Sequence, residues 1–309
     1  MKTQPNAMPE SFGSQGVAAT VMSETWPMYR SVRRELWENR SIYIAPLAAA
    51  GAALLGFVIS MIGPHWVHGL ATLPAPHQQS SIAEPYDIAA GVMMATLILV
   101  TVFYCADALY GERRDRSILF WKSLPVSDLT TVLAKASIPF VVLPLVTFAI
   151  TVAMQFIMLL LNSAVLLASG KNVATLWTQL SVVQMWLLLL YHLFTAHTLW
   201  PAPVYCWLLL VSGWARRATL LWAALPIVAI AGVELLVFHT SHFAALVGAR
   251  LIGDTPSVGF TPPGAFPMDA TTHITPGTFL STPGLWIGLV IAAGFLAAAV
   301  RLRRHQGPI

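Results

Sequence analysis

The side chains able to do chemistry in this sequence are few and thinly spread. Two histidine pairs stand at three-residue spacing, His65 and His68 in HWVH and His239 and His242 in HTSH. Such a pair can share a metal on one helical turn, but zinc needs a third or fourth ligand and nothing in the sequence places one beside either pair. No HExxH zinc motif and no GxSxG nucleophile elbow occurs. The phosphate-cradling pattern GxxxxGK[ST] is missing too, since the nearest glycine pair, Gly51 and Gly56 in GAALLG, is followed by Phe57. No metal site, no cofactor and no enzymatic activity is therefore expected of the chain itself. What remains is a set of isolated polar groups in apolar surroundings: Asp107, Gln155, His192, His197 and Glu234. Ionisable groups inside a bilayer are costly and are candidates for a substrate path. Asp107, Gln155, His192 and Glu234 either line such a path or hydrogen-bond between helices and hold a bundle together.

The elements that carry these groups follow from composition. Of 309 residues 57% are hydrophobic and only 10% are charged, and mean hydropathy is +0.70. Soluble domains carry about a quarter charged residues, so a soluble globular class is excluded. The pI near 9.3 could suggest nucleic acid, but that reading needs a basic face on a folded domain. Here the cations come in short bursts between apolar runs, and the expected partner is the lipid bilayer, with no nucleic acid. Cys105 and Cys206 lie within apolar runs and read as small buried side chains.

Apolar runs of about 18 residues or more predict an all-α polytopic membrane protein with six spans, at about 41–63, 87–110, 137–160, 180–212, 218–238 and 284–300. The run over 180–212 would reach about 50 Å as a helix, too long for one straight crossing and short for a hairpin. Pro201 and Pro203 interrupt it, which predicts one broken or tilted helix. Residues 1–22 read as a loose tail, as do 305–309. Segment 23–40 reads as an amphipathic interface helix, with Trp26, Tyr29, Val32, Leu36 and Trp37 on one face and Arg30, Arg33 and Arg34 elsewhere. About forty residues precede the first apolar run, unlike an ordinary cleaved signal peptide. Gly284, Gly288 and Ala292 recur every four residues in the sixth span, a smooth strip suited to close helix approach. With both termini on the cytoplasmic side, 15 of the 17 Lys and Arg fall inside, leaving only Lys171 and Arg250 outside.

This layout places YGERRDRSILFWKSLPVSD, residues 110–128, in the cytoplasmic loop between spans two and three. Ile118, Leu119, Phe120 and Trp121 form an apolar knot behind Arg113, Arg114, Asp115 and Arg116. Pro125 breaks the chain, and Ser127 with Asp128 can cap the next helix. A short apolar-faced helix with charged flanks suits docking into a partner's groove. A surface loop whose aromatics rest among lipid headgroups is the plainer reading.

LYGERRDRSILFWKSLPVSDLTTVLAKA (109–136) resembles the first cytoplasmic loop of ABC-2-type transporter permeases, and WPAPVYCWLLLVSGWARR (200–217) resembles part of that family's fourth span. The resemblance covers most of the chain after residue 24, with residues 41–304 as the permease domain and a long external segment, 239–283, between spans five and six. It implies a bacterial inner-membrane exporter subunit that moves an amphipathic or hydrophobic cargo, such as a drug, peptide or lipid-like molecule. Glu112 to Trp121 would then form a coupling helix, with Arg113, Arg114 and Arg116 as polar contacts and Phe120 and Trp121 as anchors. Its partners would be two copies of an ATP-binding subunit, which hold ATP and Mg, and a second permease chain, identical or not. The alternative from the residues alone is a non-transporting scaffold that recruits a cytoplasmic partner through loop 111–128.

Overall fold

The computed structural model describes residues 25–62, 75–119, 127–170, 173–252 and 276–305. Residues 1–24 and 306–309, His65 and His68, and Phe120 and Trp121 lie outside these residues, as does most of the external segment expected between spans five and six. The described residues are helical and contain six helical runs long and apolar enough to cross a membrane. Helix α1 spans Thr25–Glu38 and leads, after two residues, into α2 (Ser41–Ile62). Helix α3 (Ala75–Asp107) holds most of the second expected span, and α4 (Tyr110–Arg114) follows a two-residue turn. The third span lies within a continuous helical run from Asp128 to Ala168 made of α5 (Asp128–Ser137), a π-helical turn (Ile138–Val142) and α6 (Leu143–Ala168). Ser127 caps α5 by accepting the Thr130 N–H at 3.0 Å, as its position before Asp128 suggested.

The long run over 180–212 is one interrupted helical path. After the short α7 (Ala174–Gln179) come α8 (Val182–Phe194), a second π-turn (Thr195–Leu199) and α9 (Ala202–Trp214). Pro201 explains the break. It has no N–H to give the His197 carbonyl four residues back. The Tyr205 hydroxyl takes over that carbonyl at 3.0 Å, while the Trp200 N–H reaches back five residues to Thr195 at 2.9 Å. Pro144 stands in the same relation to Phe140 in the first π-turn, so a missing donor accompanies both π segments.

The chain continues through α10 (Thr219–Phe238), α11 (His242–Ile252), α12 (Pro276–Leu280) and α13 (Pro283–His305). Helices α9 and α13 run antiparallel. Trp200 lies by Gly284, Ala202 and Cys206 pack with Ala292 midway, and Leu210 meets Ala299 and Val300 at the far end. Small side chains at the middle layer let the two backbones approach. Both cysteines are free and buried. A larger core joins α2, α3, α6 and α8 through Phe57, Tyr86, Met93, Leu97, Met154 and Leu189.

The glycine strip does something other than admit a helix. Gly284 and Gly288 leave room for the Arg250 side chain, which comes from α11. Its guanidinium lies 4.1 Å from the Trp200 ring centroid and donates to the Trp200 carbonyl at 3.2 Å and the Gly284 carbonyl at 2.5 Å. The Trp200 indole N–H donates in turn to the Ala249 carbonyl at 2.8 Å. Burial pulls the Arg250 pKa below the ordinary arginine value, but the guanidinium stays a cation at any physiological pH.

Candidate docking surface and the ionic layer beneath it

The segment singled out in the sequence is anchored at its start. The Leu109 N–H donates to Ser212 Oγ at 3.3 Å, tying the turn before α4 to α9. Arg113 reaches the end of α9 and donates to the carbonyls of Gly213 (2.6 Å) and Ala215 (3.1 Å). Helix C-terminal carbonyls lack intrahelical donors and carry partial negative charge, so a guanidinium there satisfies both needs.

A continuous helix over 112–121 does not form. Helix α4 stops at Arg114, and Arg116 adopts a left-handed conformation (φ 57°) before residues 117–119 turn helical again. A non-glycine residue at positive φ breaks a right-handed helix at that point. The break sorts the residues into two groups. Glu112, Arg113 and Ile118 face the protein's own interior. Arg114, Asp115, Arg116 and Leu119 face outward, and Arg114 pairs with Asp115 at 3.1 Å.

Beneath this surface lies a buried layer of charge that the sequence reading missed. Glu112 Oε1 stands 3.2 Å from both Arg34 Nη2 and Lys135 Nζ, and its Oε2 accepts from Arg303 Nη1 at 2.5 Å. Lys135 also donates to Glu35 at 2.7 Å, and the Tyr104 hydroxyl donates to the other Glu35 oxygen at 3.0 Å. Arg303 Nε donates to Asp128 at 3.2 Å, and Arg34 pairs with Glu38 at 2.7 Å. The side chains of Glu35, Glu112, Lys135 and Arg303 are each no more than 5% exposed. The layer joins α1, α3, α4, α5 and α13. Buried charges persist only when paired, and each of these four has an opposite charge within 3.2 Å. One signal was legible: Glu35 shares the helical face of Val32, Leu36 and Asn39, which is the inward face of α1.

Helix α1 corrects the expected amphipathic pattern. Val32 and Leu36 pack on the main core, whereas Tyr29 (67% exposed) and Trp37 (74%) point outward beside Arg30 and Arg33. Trp26 lies in the first turn of the helix. Tyr29 and Trp37 therefore do not share the inward face of Val32 and Leu36.

The four candidates for a transport path have separate partners. Gln155 is buried and stitches three helices, donating to the Tyr86 carbonyl at 3.2 Å and accepting from the Trp186 indole at 3.1 Å. His192 is buried with Nδ1 2.9 Å from the Leu188 carbonyl in its own helix. Asp107 is exposed beside Gly111 at the end of α3. Glu234 is not midway along its span but in the last turns of α10. Its carboxylate accepts from Thr240 Oγ1 (2.9 Å) and from the backbone N–H groups of His242 and Phe243 (2.8 Å each), so it caps the start of α11. Loss of a cap of this kind destabilises the helix it starts. Glu234→Ala is expected to lower the unfolding midpoint in detergent, with Glu234→Gln losing less. An unshifted midpoint in the alanine variant would rule out the capping role and return the residue to the transport path.

These elements define an all-helical architecture, among the described residues, compatible with a multi-pass membrane protein. In comparison with known proteins, the chain matches no family model, no curated protein and no solved structure.

Proposed function

We propose that the chain is the membrane-spanning permease subunit of an ATP-driven, ABC-2-type exporter in a bacterial inner membrane, with both termini cytoplasmic. Residues 112–121 would dock on a separate ATP-binding subunit. The observation that carries this reading is the stretch 109–136, whose outward residues stand on a firmly anchored base. Arg114, Asp115, Arg116 and Leu119 are available to a partner, while Glu112 and Arg113 tie the same segment to α1, α5, α9 and α13. A docking loop that passes on the movement of an ATPase must be stiffly joined to the helices it moves, and buried charge-assisted hydrogen bonds supply that stiffness. Two such chains with two ATPases would open toward the outside when ATP draws the loops together. The cargo on this reading is amphipathic or hydrophobic.

The test is co-purification of the full chain with candidate ATPases from its own genome, wild type beside Phe120→Ala/Trp121→Ala. Removal of two large anchors is expected to reduce capture at least a hundredfold, since interface aromatics commonly contribute about 2 kcal/mol or more apiece. Stimulation of the bound ATPase by cargo would complete the case for export. Capture of a partner without any such stimulation favours the scaffold reading, and a wild type that captures no ATPase removes the exporter's engine.

A further inference from the structure

The turn between α9 and α10 carries a feature that neither docking nor transport uses. A cleft of about 300 Å3 opens there, lined by Trp214, Ala215, Arg216 and Trp222. The two indoles meet edge to face, with centroids 5.2 Å apart, and stay about half exposed (51% and 43%). Arg216 and Arg217 are exposed on the same turn, and among the described residues no carboxylate pairs with either. Arg113 lies close enough to Arg216 for the like charges to repel. Among the described residues the turn thus gathers positive charge that no ion-paired carboxylate offsets. Leading away from it, α10 is the least covered of the six apolar runs, with 6% of its most apolar window buried. Leu221, Leu225 and Val228, all more than half exposed, make a strip along one face of that helix, starting next to Trp222.

We propose that this turn binds the headgroup of an acidic phospholipid, with the phosphate on Arg216 and Arg217, the glycerol region against the exposed side of the indole pair and an acyl chain along the α10 strip. Each part answers one part of such a lipid. Guanidinium groups pair with phosphate oxygens through parallel N–H donors. Tryptophans favour the boundary between headgroups and hydrocarbon, where an apolar ring and a polar N–H are both satisfied. A bare apolar helix offers the chain a surface in the hydrocarbon. The topological bias toward inside cations asks only for charge near the span; it does not require an indole-walled cleft beside it. The proposal stands whether or not the chain exports anything.

The test uses the full-length chain in nanodiscs of phosphatidylcholine with a graded fraction of phosphatidylglycerol. The readouts are native mass spectrometry of retained lipid and the unfolding midpoint. One phosphatidylglycerol per chain should be retained in preference to phosphatidylcholine, and the midpoint should rise with its fraction. Arg216→Gln/Arg217→Gln should weaken retention by roughly fivefold per cation, some 25-fold for the pair, while its midpoint in pure phosphatidylcholine stays at the wild-type value. Trp214→Ala/Trp222→Ala should also lose the lipid. Equal retention by either double variant overturns the site. So does inorganic phosphate alone if it reproduces the stabilisation and displaces the lipid, because the acyl strip would then contribute nothing.

Discussion

Glu112→Ala is expected to destabilise the protein by about 3–5 kcal/mol, the usual consequence of removing one partner from a buried ion pair. The carboxylate has Arg34, Lys135 and Arg303 within 3.2 Å. Without it Lys135 retains Glu35 at 2.7 Å and Arg303 retains Asp128 at 3.2 Å, but the two cations face each other across the space the carboxylate leaves, with no anion between them. Their side chains are 3% and 4% exposed, and water cannot readily replace the lost anion. The measurements are membrane abundance and the detergent unfolding midpoint. A second variant, Glu112→Gln/Arg303→Met, removes charge of both signs and should recover a good part of the loss, since paired removal of buried charge is often near neutral. If Glu112→Ala unfolds at the wild-type midpoint, the ionic layer does not hold these helices together.

The second large effect changes sign with its background. An alanine Cβ at Gly288 would lie 2.7 Å from Arg250 Nη1, closer than atoms can pack, and 3.1 Å from Cζ, a tight contact. Arginine is flexible, but this guanidinium is held by two carbonyls and a tryptophan face, so moving it breaks charge-assisted hydrogen bonds worth about 1.5–3 kcal/mol each. Alanine also returns about 1 kcal/mol of helix propensity within α13. Gly288→Ala should therefore lose about 1–4 kcal/mol in the wild-type chain. In an Arg250→Ala background the clash is gone and the same substitution should be neutral or stabilising by up to about 1 kcal/mol. A double-mutant cycle of unfolding midpoints measures the coupling. Additive effects would mean that Gly288 is not there to admit Arg250.

Much of the architecture was legible in the residues. Apolar runs longer than about 18 residues placed six spans, because lipid admits no unpaired backbone and so permits only helices of that length. Pro201 marked the break in 180–212 through the N–H it lacks, and Ser127 the start of α5 through a side-chain oxygen that accepts an otherwise unpartnered N–H. The charged stretch at 110–121 was legible as a place of interest but not in its detail. Hydropathy treats Glu112, Arg113, Arg114 and Asp115 alike, and the left-handed turn at Arg116 that divides them by direction leaves no mark in periodicity.

The sequence by itself determined which segments are apolar enough to lie in a membrane and where the chain must bend. Those are local properties, set by side-chain transfer free energies and by proline's missing N–H over a few turns. Only the tertiary structure decided which charges are internal. Glu112 meets Arg303 across 191 positions and Lys135 meets Glu35 across 100. A lysine bound for solvent and one bound for a buried carboxylate look the same until a partner arrives from elsewhere in the chain. The same holds for Gly288, legible as space for a neighbour, whose neighbour is an arginine 38 residues before it. Coulomb attraction and close packing act through space, and the order of residues records only one coordinate of it.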